Sequence, residues 1–333
     1  MVSDVGQHLA QPGLGGNTGE LGGAGEQVVG PADGDTAGAP KYLASALFFM
    51  LVLFFVNRER VVFDKNNGAS FEEVGTYYED MATRCWEASA GPHLHCGYWA
   101  SDALDADSRA GPLRMTEWLI ARTSIGKDQK FIDFGSGFGA PAILLAQQKG
   151  CLVDGVNASA YQTGKAVAAA AAAGLADRVR FRVEDARTLS APDASYDGGW
   201  FIESIFHMGH ARVLTEARRV LKPGATLLIT DFTGHERTTA EFTTLKNETL
   251  LAELGSTAAY PGMLAAAGFE LVQMVDLSVE SIQRGAAHNR LSLERNKEAM
   301  LAIADAEYLG FVAEVSELFA QNVGYVFIEA RAV

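Results

Sequence analysis

The stretch Phe131-Ile-Asp-Phe-Gly-Ser-Gly-Phe-Gly139 runs directly into Ala140-Pro-Ala-Ile-Leu-Leu-Ala-Gln-Gln148. The first part is a short apolar run ending among glycines, and it reads as a buried strand that stops at a tight turn. The second part reads as a helix start. Pro141 suits the first helical turn, where a missing N–H costs nothing. Gly135, Gly137 and Gly139 can take backbone angles that other residues avoid, and they let a ligand approach the main chain. A strand, a glycine turn and a helix, in that order at the carboxyl end of a parallel sheet, is where open α/β folds bind ligands.

Outward from this unit, strands and helices alternate, which predicts a parallel sheet. The expected strands are Lys130–Phe134, Leu152–Val156, Val179–Val183, Gly198–Ile202 and Thr226–Asp231. Between them lie an alanine-rich helix over Tyr161–Ala173 and a second over His210–Leu221, the latter stopped at Lys222-Pro-Gly224. A helix over Leu113–Arg122 leads into the first strand, another ends at Met263–Ala267, and Phe71–Ala82 reads as an N-terminal helix with an aromatic edge. Leu271–Leu277 and Gly324–Arg331 add two strands, separated by a helical stretch from Ser281 to Gln321. The pattern predicts a Rossmann-like, mostly parallel seven-stranded sheet, with a reversed last strand at an edge and a helical lid over 281–321.

Two ligand classes suit the glycine turn. A dinucleotide wants G-x-G-x-x-G/A and an acidic residue at the end of the next strand. Gly135, Gly137 and Ala140 meet the first requirement, but the next strand ends at Asn157. S-adenosylmethionine (SAM) is the other candidate, and the chain downstream favours it.

A formal net charge of −14 and a pI near 4.9 argue against a nucleic-acid partner, whose affinity comes from Lys and Arg. Cys85, Cys96 and Cys151 are odd in number and lack metal-ligand spacing, which suits a reducing, cytoplasmic setting. The seven histidines form no H-x-x-x-H cluster, so no metal is expected.

Residues 1–40 are rich in Gly, Pro, Ala and short polar residues and predict a disordered leader. Residues 41–65 hold the apolar run Tyr42–Val56. As a helix that run spans roughly 22 Å, short of a ~30 Å hydrocarbon core. Three readings stay open: a short anchor giving membrane contact through residues 42–56, a hydrophobic helix packed on the domain, or a product of an upstream start codon. Residues 66–333 read as the catalytic domain, a monomer or homodimer.

Several blocks, taken in order, resemble the class I SAM-dependent methyltransferases over about residues 70–333. The likeness is to small-molecule enzymes of natural-product pathways, in the group of the rebeccamycin sugar O-methyltransferase and the tocopherol and sterol C-methyltransferases. The blocks are Tyr77-Tyr78-Glu-Asp, His95-Cys-Gly-Tyr-Trp99, Asp133–Gly139, Gly155-Val-Asn-Ala-Ser159 with Gln162, Glu184-Asp185-Ala186, Trp200–Met208 and Leu221-Lys-Pro-Gly224.

The resemblance implies the following roles. Asp185 accepts from the adenine amine, and the Ala186 N–H meets a ring nitrogen. Asn157, with Ala158 and Gln162, faces the ribose. Gly135, Gly137 and Gly139 cradle the methionine end, Tyr77 or Tyr78 caps its carboxylate, and Glu203 lines the same pocket. Asp133, buried in its strand, is expected to hold the N–H groups of the glycine loop.

Methyl transfer needs the acceptor positioned about 3 Å from the methyl. A hydroxyl acceptor also needs a base, and His is best tuned for that at neutral pH. His207 after the fourth strand and Asp231 at the end of the fifth are the expected base and orienting carboxylate. The expected activity is methylation of an O, N or C atom of a small, fairly apolar metabolite of a specialised pathway. The alternative is a cyclase that keeps the fold and binds SAM without methyl transfer.

Overall fold

The computed structural model describes residues 69–79, 91–101, 109–234, 254–295, 297–302 and 320–333. The leader, the apolar run at 41–65 and much of the expected lid lie outside these residues. Seven strands form one sheet in the order β3-β2-β1-β4-β5-β7-β6. They are β1 (Lys130–Phe134), β2 (Leu152–Asn157), β3 (Val179–Val183), β4 (Tyr196–Ile202), β5 (Leu221–Gly234), β6 (Phe269–Asp276) and β7 (Val323–Ala332). The helices are α1 (Phe71–Tyr77), α2 (Ala110–Ile120), α3 (Ala140–Lys149), α4 (Ala160–Ala172), α5 (His210–Val220), α6 (Tyr260–Ala266), α7 (Arg284–Arg295) and α8 (Lys297–Leu301). A π-helical turn, Ser278–Gln283, precedes α7.

Strands β1 to β5 pair in parallel, and β7 runs antiparallel to both β5 and β6. The reversal of the last strand matches expectation, but its place does not. β7 inserts between β5 and β6, so the edge is β6. The reason lies in β7 itself: eight of its ten residues are buried, and such a strand needs partners on both sides and cover on both faces.

Alternation along the strands divides the core in two. Phe131, Val153, Trp200, Leu228 and Phe327 pack with Leu119 of α2, Leu145 of α3 and Ala166 of α4. Ile132, Phe134, Phe201, Ile229 and Ile328 face the other way, onto Val213 and Leu214 of α5 and Tyr260 and Leu264 of α6. Each fully buried side chain of this size contributes about 1.5–3 kcal/mol of burial energy. The strand order turns back between β1 and β4, which opens a crevice beyond their carboxyl ends.

Candidate functional site

The glycine turn is shaped by what surrounds it. Gly135, Gly137 and Gly139 have φ values of 85°, 51° and 81°, in the left-handed region that glycine tolerates. A Cβ on Gly135 would lie 2.4 Å from Ser204 Cβ, so the loops after β1 and β4 meet there without room for a side chain. A Cβ on Gly139 would lie 2.5 Å from the Phe181 ring and 2.8 Å from Ala166. Gly139 is thus a packing glycine that starts α3, and only Gly135 and Gly137 face the cleft.

The cleft itself holds about 610 Å³ between atoms, part of it open to solvent. Its lining includes Asp133, Gly135, Ser136, Asn157, Ala158 and Gln162. Tyr78, Leu94, His95, Glu203, His207 and Met208 also line it. Asp185 and Ala186 stand outside this lining, as does Tyr77.

Several expected roles are corrected by the contacts. The N–H groups of Gly135 and Ser136 are taken by the Val156 carbonyl of the neighbouring strand, at 2.8 and 3.0 Å, rather than by Asp133. Backbone already at the end of β2 is closer to those donors than a side chain within β1. Asp133 is left with Oδ2 buried and without a hydrogen-bond partner among the described residues, and burial pushes its carboxyl up to about 7. Ser136 Oγ and Gln162 Nε2 are likewise buried and unpartnered. Gln162 Oε1 accepts from Asn157 Nδ2 at 2.8 Å, which leaves the Asn157 side-chain Oδ1 for a ligand donor. An acceptor, a hydroxyl and an amide donor among the lining residues fit a cofactor that carries an ammonium, a carboxylate and ribose hydroxyls. The residues present therefore suit SAM.

The expected pairing of His207 with Asp231 is not formed. His207 sits in a 3-10 turn, Ile205–His207, directly after β4. Its Nε2 meets the hydroxyl of Tyr78 at 2.7 Å. Asp231 Oδ2 instead accepts from His210 Nε2 at 2.9 Å and from the Tyr260 hydroxyl at 2.5 Å. The turn after β4 carries His207 toward the cleft, while His210, opening α5, faces β5 and its carboxylate. Tyr77, the expected carboxylate cap, is buried in the core with its ring edge-on to Tyr78. The second tyrosine of the pair is the one in the cleft. The sequence pattern could not separate them, because one residue along a helix decides which side faces inward.

Glu203 directly follows β4 and has φ 48°, uncommon for a residue with a side chain. Its Oε1 accepts from the Cys96 N–H and from the Tyr325 hydroxyl, both at 2.6 Å. Burial raises its carboxyl to about 7 despite these donors. His95 is also buried, and loss of water holds it neutral, with its pKa down to about 3. Its Nδ1 donates to the Cys96 carbonyl, so Nε2 receives the Thr116 hydroxyl at 3.0 Å.

Asp185 is held by Arg187. The Arg187 backbone N–H and Nε reach Oδ1 at 2.9 and 2.8 Å, and Nη2 reaches Oδ2 at 2.9 Å. Arg187 Nη1 donates to the Ala69 carbonyl at 2.7 Å. No sequence pattern pointed to this arginine.

Residues 132–229 match a family model described as a methyltransferase domain. The chain is 30% identical to the (+)-O-methylkolavelool synthase of Herpetosiphon aurantiacus, over 80% of this chain and 95% of that one. Among solved structures, the [4+2]-cyclase SpnF is 27% identical, with a TM-score of 0.67 over 80% of this chain and 97% of that one. A phosphoethanolamine N-methyltransferase of Haemonchus contortus, solved in complex with SAM, shares the fold. It has a TM-score of 0.68 and 20% identity over 79% of this chain and 60% of that one.

Proposed function

The chain belongs to the SAM-dependent methyltransferases, and on that premise we propose that it methylates a hydroxyl oxygen of a small, largely apolar metabolite, with Tyr78 and His207 handling the proton. The observation that carries this reading is the 2.7 Å contact between the Tyr78 hydroxyl and His207 Nε2 inside the cleft. SAM, when bound, supplies an electrophilic methyl whose departure leaves a neutral thioether, so no acid is required on that side.

The chain's own residues then have two tasks. One is positioning, from the glycine turn, the polar lining residues Asp133, Asn157 and Gln162 and the apolar ones Leu94, Ile202 and Met208. The second is removing the hydroxyl proton as the oxygen attacks. Burial, with the Glu203 charge beside it, holds the Tyr78 phenol well above its ordinary value. Tyr78 therefore stays protonated at neutral pH and donates to His207 Nε2. As the acceptor oxygen forms its bond to the methyl, its proton passes to the Tyr78 oxygen and the Tyr78 proton passes to Nε2. His207 ends as the imidazolium. The name of the kolavelool relative, an O-methyl product, supports oxygen as the methylated atom.

The test is S-adenosylhomocysteine release from SAM over a panel of apolar alcohols, phenols and amines. Release with an alcohol or phenol, lowered about 100-fold or more by His207→Ala and at least 10-fold by Tyr78→Phe, is expected, with cofactor binding nearly unchanged. Release with amines alone would overturn the oxygen reading. A second reading, SAM-bound cyclisation without transfer, draws on the likeness to SpnF. Tight SAM binding with conversion of a polyene and no S-adenosylhomocysteine would favour it.

A further inference from the structure

Helix α1 has seven residues, too few to hold together alone in water. Its Ser70 cap and Glu73 form a reciprocal capping box, at 3.1 and 2.8 Å. Its place on the domain is set by contacts at three strand ends. After β2, Gly75 packs so closely on the Ala158 carbonyl that a Cβ would come within 2.9 Å, and Glu79 Oε1 accepts from the Ala160 N–H at 3.0 Å. After β3, Arg187 holds the Ala69 carbonyl. After β4, His207 meets Tyr78. One short helix thus clasps the loops that carry the ribose, adenine and reacting ends of the expected site.

We infer that Arg187 is a positioning residue that couples the adenine end of the cofactor site to the Tyr78–His207 pair through α1. The inference rests on the reading of Asp185 as the adenine acceptor. A carboxylate offers about four lone-pair positions. Three Arg187 donors reach it, the backbone N–H, Nη2 and an Nε–H shared between both oxygens, and a ligand amine would be the fourth donor. A donor at that position sets the plane of the carboxylate. The guanidinium is a rigid planar fork, so its plane follows. Its third arm, Nη1, is the one on Ala69, next to the residue that caps α1. The Arg187 side chain is only 8% exposed, which leaves it little freedom to absorb such a change by itself. A ligand at Asp185 therefore steadies α1 and sets Tyr78 against His207, and by linkage an ordered α1 strengthens cofactor binding.

The experiment uses the full chain with S-adenosylhomocysteine as probe. Calorimetry gives the affinity, and hydrogen exchange with mass spectrometry follows peptides over 71–78 and 135–139. In the wild type the ligand is expected to slow exchange in both peptides. Arg187→Met is expected to weaken binding by on the order of tenfold. The same variant should keep ligand-dependent slowing at 135–139 and lose it at 71–78, while Arg187→Lys restores part of it. Asp185→Asn, nearly isosteric, should show the same uncoupling and serves if Arg187→Met does not fold. Full ligand-dependent slowing at 71–78 in Arg187→Met, or none there in a wild type that binds the ligand, overturns the inference and leaves the cofactor reading intact. Faster exchange at 71–78 to the same degree with and without ligand makes Arg187 merely structural and overturns it too. A wild type that does not bind S-adenosylhomocysteine removes the cofactor reading and this inference together.

Discussion

Glu203 holds a buried carboxyl at the edge of the cleft, on a backbone angle that few residues with a side chain adopt. Its folded pKa, about 7, lies above the ordinary carboxylate value because burial disfavours the charge. The sign of the effect on stability follows. As pH rises from about 4.5, the unfolded chain releases this proton first, so folding stability falls until about pH 7 and then levels. Glu203→Gln keeps an oxygen for the Cys96 and Tyr325 donors but cannot ionise. The variant is expected to lack this fall, with the gap to wild type growing by up to about 3 kcal/mol between pH 4.5 and 7. Urea midpoints of both proteins at pH 5 and 7.5 measure it. Parallel pH profiles would show that the carboxyl ionises freely in the fold. Other site residues differ in how far the sequence reveals them. Gly135, Gly137 and Asn157 stand at positions defined by strand ends and Gln162 in the first turn of the helix after β2, so their place in the cleft follows from the pattern. Tyr78 over Tyr77, and His210 over His207 as the partner of Asp231, depend on which way a turn points.

The glycine turn joins two jobs that substitution can separate. Gly139→Ala would force a methyl group against Phe181 and Ala166 at a left-handed angle, and is expected to cost about 2–4 kcal/mol of stability. A Cβ on Gly137 would stand 3.7 Å from Leu94, an ordinary contact. Gly137→Ala is therefore expected to cost only about 1–2 kcal/mol for the angle, yet to weaken S-adenosylhomocysteine binding, because the methyl enters the cleft. Thermal melts and calorimetry separate the two. Equal melting temperatures for both variants would remove the packing role of Gly139. Most elements were readable from their periodicity: β1 and β3 fall on their expected residues, and α3 and α5 begin where expected. Helix α1 is shorter than expected. The strand β5 begins at Leu221 and carries Lys222-Pro-Gly224 within it, because Leu221 pairs with Tyr196 before the register shifts. The π-helical turn had no sequence signal, since an extra residue in a helical turn leaves the composition unchanged.

At the scale of the whole molecule, the sheet is a three-layer α/β assembly whose crevice lies where strand order turns back between β1 and β4. Among the described residues no helix is long and apolar enough to cross a membrane. The apolar run Tyr42–Val56 lies outside them, and its role is open to a direct test. A chain trimmed to residues 66–333 is expected to stay soluble, melt cooperatively and bind S-adenosylhomocysteine. An insoluble product would assign the apolar run to the fold.

The amino-acid sequence alone determined the strand and helix alternation, the glycine turn, the ordered blocks that resemble the methyltransferase family and the reversal of the last strand. These are local matters of periodicity and of residues with special backbone freedom, and a linear pattern carries them. Only the tertiary structure decided that β7 enters between β5 and β6, that Val156 rather than Asp133 holds the glycine loop, that Tyr78 and not Asp231 meets His207, and that Arg187, which holds Asp185, also reaches Ala69 across 118 positions. Each is a contact between residues far apart in the chain. Such contacts turn on side-chain direction and on competition among nearby donors and acceptors, and neither is set until the elements have packed.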